Sequence, residues 1–344
     1  MLIAPIMDTR VLIPTEENIE YAASLLNQGE VVGMPTETVY GLAANAYDEN
    51  AVEKIFKAKG RPQDNPLIVH IHSLDMLKDL VSNPPAIAYQ LADKFWPGPL
   101  TMIFQKSDKV PLAVTAGLST VAVRFPSNKV AHALIKTAGM PLAAPSANLS
   151  GSPSPTTANH VFNDLDGRIP AILDGGACEF GLESTVILLH TDKVTLLRPG
   201  SVTVEMLRSV VPQVEVANGV LHEVAEDEQV ASPGMKHTHY SPRANVCIID
   251  SDFASFEKFI QSHADENIGA MVFDGEEKKL DVPCVTFGDE DDSIIQAKLL
   301  FGALRAIDDL GVERIYARMP DKNGIGLAIY NRLLRAAGFE VITL

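Results

Sequence analysis

Cysteine is scarce in this sequence. There are three, Cys178, Cys247 and Cys284, widely spaced and never arranged as CxxC. That excludes a disulfide scaffold, a zinc ribbon and a thioredoxin-type redox motif, and it fits a reducing, cytoplasmic setting. No apolar run approaches the ~18 residues of a membrane-spanning helix. The apolar start, MLIAPIMDTRVLIP, is short and broken by proline, so neither a signal peptide nor a span is expected there. GxxxxGK[ST], GxGxxG after a strand, GxSxG and HExxH are all missing. The signatures of P-loop, Rossmann dinucleotide, α/β-hydrolase and zincin chemistry are therefore absent. Positive charge is also in deficit. The 28 Lys and Arg face 44 Asp and Glu, for a net charge of −16, and 17 of those acids fall within residues 222–300. Such a surface repels nucleic acid at long range and argues against a broad RNA- or DNA-coating role.

What is present is an ordinary globular composition, 46% hydrophobic and 21% charged over 344 residues, long enough for about two domains. Helical and strand patterns alternate, which predicts an α/β layer architecture. Residues 15–28 read as a helix capped by Thr15, and 49–58 as a helix stopped at Gly60. PLIVHIH, LTMIFQK, STVAVRFP, STVILLH and VTLLRPG read as strands. The pattern divides the chain into a first unit at 10–211, a connector at 212–243 rich in charge, Gly and Pro, and a smaller α/β unit at 244–344.

Five features carry candidate chemistry. Lys57, Lys59 and Arg61 sit at a helix end before Pro62 and Asn65. They read either as charges favouring the helix dipole or as an anion clamp, with Arg61 supplying a planar fork. Thr36 and Thr38 in PTETVYGL follow a strand, where open α/β sheets bind ligands; the alternative is a capped turn. Ser146, Asn148 and Ser154 lie in PSANLSGSPS, either a phosphate cradle or a solvated loop. Arg124 and Arg198 are cations inside apolar strands, so each needs a partner or a ligand. Ser184, opening STVILLH, is a weaker hint. The His-x-His pairs His70/His72 and His237/His239 permit metal binding by spacing, but no Cys or acidic cluster accompanies them, and no protein metal site is assigned. Cys178 reads as an inert buried thiol.

In order, PTETVYGL, KAKGRPQDNPLIVHI, FWPGPLT, STVAVRFP, PLAAPSANLSG, ESTV, LRPG and SPGMKHTHYSP closely resemble the threonylcarbamoyl-AMP synthase family in its longer, two-domain form. The resemblance spans roughly residues 10–344. It departs at Ala43, where Gly is usual, and at Leu188, where an acid is common. It implies a YrdC-like twisted open mixed sheet with a concave binding face, plus a smaller Rossmann-like α/β domain. It implies a cytoplasmic nucleotidyltransferase joining L-threonine, bicarbonate or CO2, and ATP with Mg2+. The products would be threonylcarbamoyl-adenylate and pyrophosphate, feeding a downstream threonylcarbamoyl-transferase complex that modifies tRNA. Lys57, Lys59, Arg61, Asn65, Thr120, Ser146, Asn148, Ser154, Arg198 and Tyr240 would contact ATP, with Lys59 and Arg61 carrying the catalysis. Thr38, His70, Arg124, Ala144 and Ser184 would hold threonine. The linker motif with Tyr240 would close over the nucleotide. The alternatives are a YrdC-like module binding tRNA or double-stranded RNA, and a carbamoyl-transfer enzyme of the hydrogenase-maturation type. The second of these normally carries zinc-finger segments, which are missing here.

Overall fold

The computed structural model describes residues 8–63, 65–223 and 240–344. Two sheets organise it. The larger contains β1 (Arg10–Leu12), β2 (Val32–Met34), β3 (Gly41–Asn45), β4 (Ile68–His70), β5 (Leu100–Gln105), β6 (Thr120–Arg124), β7 (Leu142–Ala143), β8 (Ala171–Leu173), β9 (Thr185–Leu189), β10 (Val194–Arg198) and β11 (Val214–Val216). Their order is β1-β8-β2-β3-β7-β4-β6-β5-β9-β10-β11. The sheet is mixed: β4 pairs with β6 in parallel, while β5 runs antiparallel to β6. The smaller sheet contains β12 (Asn245–Asp250), β13 (Ile268–Val272), β14 (Cys284–Thr286), β15 (Arg314–Arg318) and β16 (Val341–Thr343), in the order β14-β13-β15-β12-β16 and parallel throughout.

Local chemistry sets the elements that reach the site. The helix Glu49–Lys59 starts where the Asp48 carboxylate accepts from Asn50 N at 3.0 Å. It stops at Gly60, whose φ of 62° lies in the left-handed region that glycine adopts freely. Its buried side holds Val52, Ile55 and Phe56. Pro141 and Pro145 bracket β7 and limit it to two residues, since proline cannot donate to the ladder. The departure at Ala43 falls on β3, fully buried in the core and paired with Val32, away from ligand-facing positions.

The expected connector needs one correction. Val214–Val216 lies inside it, yet pairs with β10 in parallel and closes one edge of the large sheet. A three-residue edge strand with Glu215 and Val216 exposed has too little alternation to read in advance. Residues 224–239, including His237 and His239, lie outside the described residues. Beyond them the chain packs two elements across the domains. Tyr240 joins Val39 and Leu182 of the first domain in one apolar cluster with Phe301 and Leu304 of the second. Arg305 makes a two-pronged ion pair with Asp164 at 2.8 and 2.9 Å.

Candidate active site

Three strand ends and two loops meet in one cleft. β4 and β6 are in register at His70 and Arg124, and Arg124 is opposite Thr101 on β5. Around them the cleft is lined by Thr36, Thr38, Lys59, Arg61, Ala144, Ser146, Asn148, Glu183, Ser184, Arg198 and Tyr240.

Arg124 is buried, and three of its nitrogens point to protein. One terminal nitrogen donates to Thr38 Oγ1 at 2.7 Å, and the other ion-pairs with Glu37 Oε1 at 2.7 Å. Nε reaches Gly98 O at 3.4 Å. Gly98 is required in FWPGPLT, because a Cβ there would stand 2.5 Å from Phe95 O. A guanidinium has five N–H groups, so one on each terminal nitrogen remains for a ligand. Burial alone would raise the Glu37 carboxyl, but Arg124 outweighs it and holds it below the usual range. His70 is fully buried beside Arg124, and both effects push it down to about 3. It is therefore a neutral imidazole at physiological pH, with Nδ1 3.2 Å from Ile68 O.

The opposite wall is held by Lys59 and Arg198. Lys59 Nζ donates to Ser146 O at 2.5 Å and Asn148 O at 2.6 Å. Its own carbonyl accepts from Ser150 N at 2.9 Å. Burial, then the charge of Arg61, pull its ammonium well below the ordinary lysine value. Arg198 Nε and a terminal nitrogen hold Ser184 through its carbonyl and Oγ, each at 3.1 Å. Burial lowers Arg198 to about 10, so it stays cationic at neutral pH. Lys59 and three guanidinium groups, Arg61, Arg124 and Arg198, thus line a cleft in which Glu183 is the only carboxylate among the described residues. Focused positive potential of this kind collects anions, even on a chain of net charge −16.

The comparisons with known proteins agree along the whole chain. A family model described as telomere recombination matches residues 24–200, and one described as the C-terminal domain of threonylcarbamoyl-AMP synthase matches residues 202–338. The threonylcarbamoyl-AMP synthase of Bacillus subtilis is 45% identical over 341 residues, covering 97% of both chains. That of Pyrococcus abyssi is 43% identical over 336 residues, covering 95% of this chain and 96% of its own. The chain belongs to the threonylcarbamoyl-AMP synthase family. A structure of P. abyssi Sua5 complexed with L-threonine superposes with a TM-score of 0.91 at 41% identity, covering 98% of this chain and 99% of that one. As a threonylcarbamoyl-AMP synthase, the protein is an ATP-using nucleotidyltransferase, and the RNA-binding alternative falls away.

The structure brings most of the expected residues of the synthase together and separates four. Lys57 is exposed on a neighbouring surface with Asn50 and Glu53, which meets the cleft at Arg61. Residues two apart on a helix point about 200° apart, so Lys57 and Lys59 cannot share one clamp. Thr120 is at the far end of β6, paired with Gln105, about 13 Å along the strand from Arg124 at ~3.3 Å per residue. Ser154 is fully buried behind the cleft wall and donates to Glu183 Oε1 at 2.5 Å. Asn65 is buried and off the lining, with Oδ1 unpartnered among the described residues. Ala144 does line the cleft, but its N–H already bonds Ile68 O at 2.9 Å, leaving its carbonyl for a ligand. Glu37 and Glu183 lay in quoted motifs without a role; each is a buried acid whose partner cation is distant in sequence. Cys178 is pushed up to about 12, by burial and then by Glu37, as an unreactive thiol should be. Among the described residues no cluster of three metal-ligating side chains occurs, and no helix is long and apolar enough to cross a membrane.

The His70 environment carries a pH prediction. Its folded value of about 3 lies below its unfolded value of 6.5. Between these the unfolded chain binds the extra proton, so stability falls as pH is lowered through that window. From pH 6.5 to 5 the expected loss from this one group is about 2 kcal/mol. Denaturant unfolding of His70→Gln at both pH values should show a decline smaller by that amount.

Proposed function

We propose that this cleft condenses L-threonine, bicarbonate or CO2, and ATP into L-threonylcarbamoyl-adenylate and pyrophosphate. The amine nitrogen of threonine attacks the carbon of CO2 and loses a proton, giving a carbamate. A carbamate oxygen attacks the α-phosphorus of ATP in line, and pyrophosphate leaves. The observation that carries the reading is the lining of Lys59 and three guanidinium groups, among them a buried Arg124 with two free N–H positions. Two anions, carbamate and triphosphate, must be brought together, and such a lining offsets their repulsion.

Arg124 would fork the threonine carboxylate, with Thr38, His70, Ser184 and the Ala144 carbonyl around the rest of the amino acid. Neutral His70 adds no second cation and can accept from an ammonium or a hydroxyl. Lys59, Arg61, Ser146, Asn148 and Arg198 would face the phosphates. Tyr240, set against Phe301 with ring centroids 5.1 Å apart, would cover the nucleotide. Magnesium would enter as MgATP, since Glu37 and Glu183 are both ion-paired and the lining, among the described residues, offers it no other carboxylate. The adenylate is a labile mixed anhydride, so its consumer would be a threonylcarbamoyl transferase acting on tRNA in the same compartment, the cytoplasm.

The test is pyrophosphate release from ATP with L-threonine and bicarbonate, each omitted in turn. Release is expected only with both present. Release that persists without threonine would reject the reaction.

A further inference from the structure

Glu183 poses an electrostatic problem. An unpaired carboxylate in a triphosphate site would repel its ligand. Its two oxygens are both engaged. Oε1 accepts from Ser154 Oγ at 2.5 Å, and Oε2 accepts from Arg332 Nε at 2.9 Å. Arg332 belongs to the helix Gly326–Ala336 of the C-terminal domain and is 0% exposed. The same guanidinium donates to Pro199 O at 2.5 Å and to Glu183 O at 3.3 Å. Glu183 precedes β9 and Pro199 follows β10. One side chain therefore bridges the segments that carry Ser184 and Arg198, while Ser154 links Glu183 to the loop of Ser146 and Asn148. There is little slack between these segments: a Cβ on Gly200 would meet Thr185 N at 2.5 Å and Glu183 O at 2.8 Å. Burial would raise the Glu183 carboxyl, but Arg332 and then Arg198 hold it below the usual range. Neighbouring contacts fix the helix itself. Asn331 Nδ2 donates to Val220 O at 2.6 Å, and Arg335 donates to Gly219 O at 2.7 Å.

We infer that Arg332 is a positioning residue: it acts through Glu183 to make nucleotide binding depend on the docked C-terminal domain. The inference rests on the ATP-dependent reading above. Arg332 does not line the cleft. It neutralises the one acid that does among the described residues, and it sets the spacing of two lining residues.

The experiment is calorimetric titration of the full chain with ATP and, separately, with L-threonine. Arg332→Met takes away the cation bonded to Glu183 and leaves its carboxyl with Arg198 alone. ATP affinity is expected to fall tenfold or more, and that of threonine, a net-neutral zwitterion that meets the bridged segments only through Ser184, no more than threefold. Arg332→Lys should fall between, since a single ammonium cannot reproduce the fork. The double variant Glu183→Gln/Arg332→Met should recover most of the lost ATP affinity, because a neutral amide needs no cation. Equal losses for both ligands, unchanged ATP affinity, or a double variant no better than Arg332→Met would each overturn the inference. If Arg332→Met does not fold, Arg332→Lys and the double variant decide by the same ratios. A wild-type chain that binds ATP yet releases no pyrophosphate refutes the proposed reaction, while the affinities still decide the role of Arg332.

Discussion

Arg124→Ala is expected to raise the threonine concentration for half-maximal pyrophosphate release by about a hundredfold, with the ATP requirement changing less than about threefold. A bidentate charge-assisted pair in a water-excluded site is worth roughly 3 kcal/mol, which is about a hundredfold in binding. The substitution also strands Glu37, whose exposure is only 3%. Removing one partner of a buried ion pair costs about 3–5 kcal/mol, because the remaining charge stays buried. Arg124→Ala should therefore be unstable as well as weak in threonine binding. The two effects separate in the double variant Arg124→Ala/Glu37→Gln, which removes the stranded charge. Stability should largely return, and threonine binding should not. Steady-state kinetics with each substrate varied, together with denaturant unfolding, measure both. Recovery of the threonine requirement in the double variant would mean that Arg124 serves only to balance Glu37.

The second large effect is expected at Lys59. Lys59→Met keeps an unbranched stem, one heavy atom shorter, and removes its donors. Ser146 O and Asn148 O would then lose the contacts now made at 2.5 and 2.6 Å. Each buried carbonyl left without a donor costs about 1–3 kcal/mol, partly offset by no longer burying an ammonium. The bonds hold the loop whose Ser146, Asn148, Ser150 and Ser152 line the cleft. The cleft also loses one of its four basic side chains. Removing a preorganised donor or cation at a reacting phosphate typically costs about 10²–10³ in rate. Pyrophosphate release should fall by that factor, and limited proteolysis should open the 146–152 loop sooner. Full activity with an unchanged proteolysis pattern would mean that Lys59 is neither a phosphate ligand nor the tie for this loop.

The anion-binding character of the site was legible in short segments, and its boundaries were not. KAKGRP announced a cluster of cations, but three cations within five residues read as one feature. Helix geometry splits them: Lys59 turns inward and Lys57 outward. Arg124 and Arg198 stood out because a charge in an apolar strand demands a partner. Both prove buried, and Arg124 pairs with Glu37. The acids were harder to read. Glu183 opens ESTV, and its partner Arg332 stands 149 residues later, inside a helix whose sequence shows no catalytic pattern. Val214–Val216 was missed for a related reason: its pairing with β10 comes from the sheet, and three residues carry no period.

By itself the sequence determined the composition of this protein, the alternation of its helices and strands, their caps, and the residue types available for binding. These are local properties, set by side-chain volume, charge and backbone preference within a few residues. The tertiary structure decided which of those residues share a cleft. It turned Lys57 and Lys59 apart, set Thr120 at the end of β6 away from Arg124, joined Ser154 to Glu183, and brought Arg332 to Glu183. Those outcomes depend on contacts between residues far apart in the chain, and sequence spacing carries no information about the distance that folding closes.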